Sequence, residues 1–266
     1  MSMPRSCLAL AFTALVSLAG CGGHDTTSSG EDDQATGQPP LNPVHINRRL
    51  VQPDCRDNCA TITVNSLRLD GAPRLTRQLE LRQLLLAGDF NESADEAPAS
   101  IREFAEHFFA QAAADHEEHP DTATYEARFE AEVVADHDDL LVIRLDDYVF
   151  RGGAHGMPTT GYMVIDQRNR HVVTLDDMLK AGQREAFNQA LQAAHQRWLD
   201  SLDQPLDTGD WPFAPSDNVA LLPEGAVVKY QPYAIAPYAA GQPELHIPYR
   251  ELEGIFKPRY LPQDAS

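Results

Sequence analysis

His155 is the first residue to weigh for chemistry, because it stands in Tyr148-Val149-Phe150-Arg151-Gly152-Gly153-Ala154-His155-Gly156, where an apolar run meets three glycines. Gly152, Gly153 and Gly156 permit positive φ and a close backbone approach, so the chain can turn sharply and hold His155 in a constrained position. Two roles are open. With Asp146 or Asp147 as a partner, the imidazole could act as a general base tuned by a carboxylate. Alternatively its ring nitrogens bond to backbone carbonyls and pin the corner. The favoured reading is the corner, because the aspartates lie on the incoming strand and no partner is identifiable.

His116-Glu117-Glu118-His119 superficially suggests a metal site, but the metalloprotease pattern spaces its histidines four apart, with Glu directly after the first. Pro120 also ends any helix at that point. A solvated helix end is the simpler reading. The Gly-X-Ser-X-Gly elbow, the phosphate-cradling loop and the dinucleotide fingerprint are absent from the sequence, and no cofactor is expected.

Arg5, the apolar run from Leu8 to Leu18 and the tetrapeptide Leu18-Ala19-Gly20-Cys21 have the charged start, short apolar middle and small-residue end of a secretory signal. The run is shorter than the ~20 residues of a permanent span. The tetrapeptide resembles a bacterial lipobox, which implies cleavage before Cys21 and lipid on its side chain. Several acyl chains make a stable anchor. Gly22 in place of Asp resembles the pattern sent to the outer membrane, facing the periplasm, in a Gram-negative cell. Gly22 to Pro43 is Gly, Ser, Thr, Asp, Gln and Pro with almost no large apolar residue, hence a tether. Cys55 and Cys59 remain as an even pair in an oxidising compartment and are expected to form a local disulfide.

The 266 residues carry a formal charge of −19, and loss of the leader, whose charged residue is Arg5, makes the balance one unit more negative. Nucleic acid and anionic membrane surfaces are poor partners for such a chain.

Positioning the corner requires a sheet. Thr61 to Asn65 alternates as a first strand, and a helix starts at Pro73 and ends at Gly88. A second helix spans Pro98 to Asp115, with Ile101, Phe104, Phe108 and Ala112 on one stripe. From Tyr125 the period becomes two, a half-exposed antiparallel strand. Leu140 to Ile143 reads as a central strand leading into the corner, followed by Tyr162 to Ile165 and a short return through Val172 and Val173. Thr174 with Asp177 forms a capping box. A long helix from Arg184 to Asp200 should lie across this sheet. Asp203 to Ser216 is a long loop holding Trp211, a lid or binding loop if not merely a connection. Val219 to Leu222 and Val227 to Tyr230 form a closing hairpin, with a last strand through Leu245, Ile247 and Tyr249. The fold class is α+β, an antiparallel sheet with helices packed mainly on one face.

The order Gly152-Gly153-Ala154-His155-Gly156, Gly161 to Asp166, Leu175-Asp176-Asp177 and then Val227 to Ala236, Tyr238 to Gly241 and His246 to Tyr249 resembles the extracytoplasmic domain of RsiV-like proteins. It also resembles the accessory domain of PdaC-like peptidoglycan deacetylases. With the leader and tether read above as residues 1–20, a signal peptide, and 21–50, a lipidated tether, the resemblance makes 51–140 a PdaC-like lobe and 141–260 an RsiV-like lobe. The catalytic motifs of the deacetylases and the sigma-factor-binding segment of RsiV-like proteins have no counterpart here. What the resemblance implies is an envelope lipoprotein whose domain binds a lysozyme-type muramidase or another wall component. Arg151, Gly152, Gly153, His155 and Trp211 are the candidate contacts. A small enzyme acting on peptidoglycan or another glycan, and a structural envelope lipoprotein, are the competing readings.

Overall fold

The computed structural model describes residues 40–88, 97–121 and 123–262. Signal, lipidation and most tether readings fall on residues 1–39, outside the described residues.

The chain opens with strand β1 (Asn42–Val51), followed by β2 (Thr61–Asp70), helices α1 (Pro73–Ala87) and α2 (Ile101–Glu118), and strands β3 (Glu126–His137), β4 (Leu140–Phe150), β5 (Met157–Asp166) and β6 (His171–Val173). Together they build one six-stranded sheet in chain order, β1 at one edge and β6 at the other. All its pairs are antiparallel except β2 with β3, which run parallel because both helices intervene between them. The region expected to be tether to residue 50 is therefore strand from Asn42 onward. β1 lacks the alternation that would reveal it, because as an edge strand it buries little and carries Arg48-Arg49 near its end. The boundary at 140/141 falls at the start of β4, inside this continuous sheet, so the structure does not divide there into lobes.

Alternation along β4 decides the layers. Leu141, Ile143 and Leu145 meet Leu75 and Leu79 of α1 on one face. Leu140 and Val142 face a second core on the other side. Phe104, Phe108 and Ala112 of α2 pack on Ile62, Ala127 and Phe129, as their stripe requires. α2 begins at Ile101 rather than Pro98, because the Ser100 side chain accepts from the Glu103 amide.

A short helix α3 (Leu175–Met178), capped reciprocally by Thr174 and Asp177, leads into α4 (Arg184–Asp200). Beyond it lies a second antiparallel sheet of β7 (Val219–Leu222), β8 (Gly225–Lys229) and β9 (Glu244–Ile247), closed by α5 (Tyr249–Leu252). Tyr249 starts that helix rather than ending a strand. The second sheet packs on the face of β4 and β5 opposite α1, and α4 contacts β9 instead of crossing the first sheet. Helices thus lie on both outer sides of an α+β fold.

Cys55 and Cys59 are disulfide-bonded in the loop joining β1 to β2. Among the described residues no helix is long and apolar enough to cross a membrane. His195 of α4 is buried between Trp198 and Phe213, and burial lowers its pKa, favouring the neutral ring.

Candidate functional site

The glycine corner joins β4 to β5. Gly152 and Gly153 hold φ of 84° and 86°, the region open to glycine. Gly156 needs its missing side chain for another reason: a Cβ there would lie 2.4 Å from Cζ of Tyr148. That ring is itself held, with the Arg128 guanidinium 4.4 Å from its centroid. Gly156→Ala must push the ring out from under Arg128, and is expected to lower stability by ~1–3 kcal/mol in denaturant unfolding.

On this corner His155 is exposed, and its ring stacks on Tyr238 at a centroid distance of 3.9 Å and 19° between planes. Nδ1 lies 3.3 Å from the carbonyl oxygen of Gly156, and Nε2 lies 3.5 Å from Oη of Tyr233. Tyr238 Oη donates to that same carbonyl of Gly156 at 2.9 Å. The ring-to-backbone contact is of the kind expected of a histidine that pins a turn. Asp146 and Asp147 are engaged elsewhere. Asp146 accepts from Arg144 Nε at 2.6 Å and from Thr160 Oγ1 at 2.8 Å, while Asp147 is buried and accepts from Gln83 Nε2 at 3.3 Å.

Two tyrosines reach the corner because residues 230–242 are fastened to β5 by side-chain amides. β6 pairs only with Val164 to Asp166, which leaves the outer backbone groups of Thr160 and Tyr162 without a neighbouring strand. Gln231 fills one place: its Oε1 accepts from the Thr160 amide at 3.0 Å, and its Nε2 donates to the Thr160 carbonyl at 2.7 Å. Asn218 fills the next, its Oδ1 accepting from the Tyr162 amide at 2.9 Å and its Nδ2 donating to the carbonyls of Thr160 and Lys229. Buried backbone groups must be paired, and these two amides pair them while bridging the sheets.

Between Gln231 and Tyr238 the chain places Tyr233 at φ 66°, an outlier for a bulky side chain, with 46% of its surface exposed. Its ring lies 5.7 Å from that of Tyr238 and 6.2 Å from that of Trp211. Trp211 arrives on the long loop after α4, which is tied down where Phe213 packs on His195 and Tyr230 Oη donates to the Ala214 carbonyl at 2.6 Å. Trp211, Tyr233, Tyr238 and His155 therefore form one row of rings drawn from three separate segments.

Of the residues singled out in the sequence, the structure brings together His155 and Trp211, with Gly152 and Gly153 shaping the turn. Arg151 goes another way, lining a small cavity with Leu86, Ala87 and Met157 near the end of α1. Gln231, Tyr233 and Tyr238 were not singled out as site residues. A signal did exist, in two aromatics each following a proline, Pro232-Tyr233 and Pro237-Tyr238, in a stretch with no strand alternation. The His116 to His119 segment is exposed at the end of α2, and among the described residues no group of three His, Cys, Asp or Glu is placed to hold a metal.

Residues 176–250 match the model of the family described as "Protein of unknown function (DUF3298)". A crystal structure of a DUF3298 family protein from Pseudomonas aeruginosa is similar to this chain, with 34% identity, a TM-score of 0.72, and coverage of 84% of this chain and 98% of that one. The chain belongs to the DUF3298 family. A family member from Bacteroides fragilis, at 22% identity and TM-score 0.62 over 84% of this chain and 96% of its own, shares the fold. No curated protein matches the chain. The DUF3298 segment supplies Trp211, Tyr233 and Tyr238, whereas His155 comes from the hairpin before it.

Proposed function

We propose that this DUF3298 protein is a non-catalytic binding module of the bacterial cell envelope, held by lipid on Cys21, whose ring row takes a lysozyme-type muramidase. The observation that carries the reading is Tyr233, a bulky residue kept at φ 66° with its ring outward between Trp211 and Tyr238. Strained residues persist only where surrounding structure over-determines them, and they cluster at ligand clamps. Tryptophan and tyrosine are the residues most enriched where binding energy concentrates. The resemblance to RsiV-like domains supplies the ligand class, and the charge of −19 suits a basic partner.

Calorimetry of the protein against a cationic c-type lysozyme, at low and moderate salt, tests this. Saturable binding that weakens with salt but persists is the expected result, since contacts between desolvated rings are not screened. Heat with soluble peptidoglycan fragments instead would replace the muramidase by wall glycan. No saturable heat with either would overturn the proposal.

A further inference from the structure

A second surface, on the opposite edge of the first sheet, has the form of a peptide groove. It is about 960 Å³ in volume and lies between β1 and α2. Consecutive residues from Arg48 to Pro53 line one wall, so that wall is the backbone edge of the strand rather than one of its faces. The other wall is a helical stripe, Ile101, Ala105, Phe109 and Ala113, each four residues from the last, with Arg102 beside it.

The strand side is ready to pair. β1 is the edge of the sheet. Gln52, just past β1, donates to the carbonyl of Ala60, just before β2, while Thr61 donates away from β1 to the Tyr125 carbonyl. In an antiparallel ladder these bonds alternate, so the even-numbered residues of β1 bond to β2, and the N–H and C=O of Arg49 and Val51 point outward. Among the described residues nothing pairs with them. Val51 is 51% exposed at the end of the groove.

The charge at the mouth selects the occupant. Arg48, Arg49 and Arg102 are exposed and make no ion pair among the described residues, although acidic residues outnumber basic ones by 40 to 21. Glu80 at the groove is already engaged by Arg77 and by the Ile101 amide, and exposed Glu106 on α2 leaves the balance at the mouth positive. Two copies of β1 pairing edge to edge would set arginines against arginines, which disfavours a second copy as the occupant.

We infer that this groove binds an extended acidic peptide, which adds to β1 as a seventh strand, sets alternate aliphatic side chains against the α2 stripe and presents carboxylates on its other face to Arg49, with Arg48 and Arg102 adding to the positive field at the mouth. Backbone pairing supplies affinity in this mode, and the side-chain pockets supply selectivity. The site is independent of the ring row and goes beyond the envelope-binding reading.

The probe is a fluorescein-labelled octapeptide of alternating valine and glutamate, titrated by anisotropy against the full protein. Saturable binding is expected, weakened at least tenfold by Arg49→Glu with an unchanged melting temperature, and by Ala110→Trp, which fills the groove from an exposed helix position. Methylating alternate backbone nitrogens of the peptide on the pairing edge should abolish it. Equal binding of the N-methylated peptide overturns strand addition, and equal binding of a valine–lysine peptide overturns charge selection. No binding at millimolar peptide, binding of dodecanoate in its place, or a β1-mediated dimer in sedimentation would each overturn the proposal.

Discussion

Tyr233→Ala reduces ligand affinity at the ring row by ~2 kcal/mol or more, roughly thirtyfold, while the protein stays folded. The ring is 46% exposed, so the fold gains little from burying it, yet it bridges Trp211 and Tyr238 and sets the continuity of the surface. Trp211→Ala is expected to cost a similar amount. The double variant should lose less than the sum, because the two rings are neighbours and share a ligand surface. Tyr233→Gly separates ring from backbone. It loses binding as Ala does but melts at a higher temperature than the Ala variant, since glycine relieves the ~1–2 kcal/mol that a left-handed conformation costs a residue with a Cβ. Calorimetric titration beside thermal melts of the four variants reads both quantities. Unchanged affinity in Tyr233→Ala would remove the row as the binding surface.

Asp147→Asn is expected to stabilise the protein by ~1–3 kcal/mol at neutral pH, a rise of several degrees in melting temperature for a chain of this size. Asp147 lies 3% exposed beneath α1, where Gln83 links it to Ser66 and to the Glu130 carbonyl. Burial first, and then the negative charges of Asp146 and Glu130, push its pKa well above the usual carboxylate value, against the lowering effect of hydrogen bonds from Gln83 and the Glu130 backbone. Its folded-state pKa is raised, so the protonated form belongs to the folded protein. The stability it contributes is fully present below the unfolded value near 3.8 and is lost as pH rises through the folded one. Asparagine keeps an acceptor for Gln83, and its amide can donate at the place of Oδ2, which has no hydrogen-bond partner. The gain over the parent should therefore vanish near pH 3 and grow toward pH 8. Urea unfolding at both ends of that range measures it. A variant less stable than the parent at pH 8 would mean that the ionised carboxylate is what the fold holds.

Local signals were legible where local physics dominates. Pro73 and Gly88 bound α1, Thr174 with Asp177 caps α3, and the stripe through Ile101, Phe104, Phe108 and Ala112 marks α2, effects that each belong to a single helix. The β3 alternation and the doubly buried β4 were readable for the same reason. β1 was not, because an edge strand rests on pairing with β2 rather than on its own pattern. The second sheet and the place of α4 were illegible too. Two apolar faces can each find a partner in several ways, and chain order does not say which is chosen.

The sequence by itself determined that Gly152, Gly153 and Gly156 make a tight corner presenting His155, since backbone freedom belongs to the residue, and that Cys55 and Cys59 lie close enough to bond. The tertiary structure alone decided that His155, Tyr233, Tyr238 and Trp211 share one surface while Arg151 leaves it. Those rings come from segments up to 83 residues apart, His155 to Tyr238, and meet because Gln231 and Asn218 satisfy the open backbone of β5. Pairing of buried polar groups, which depends on where a short strand such as β6 stops, placed the site.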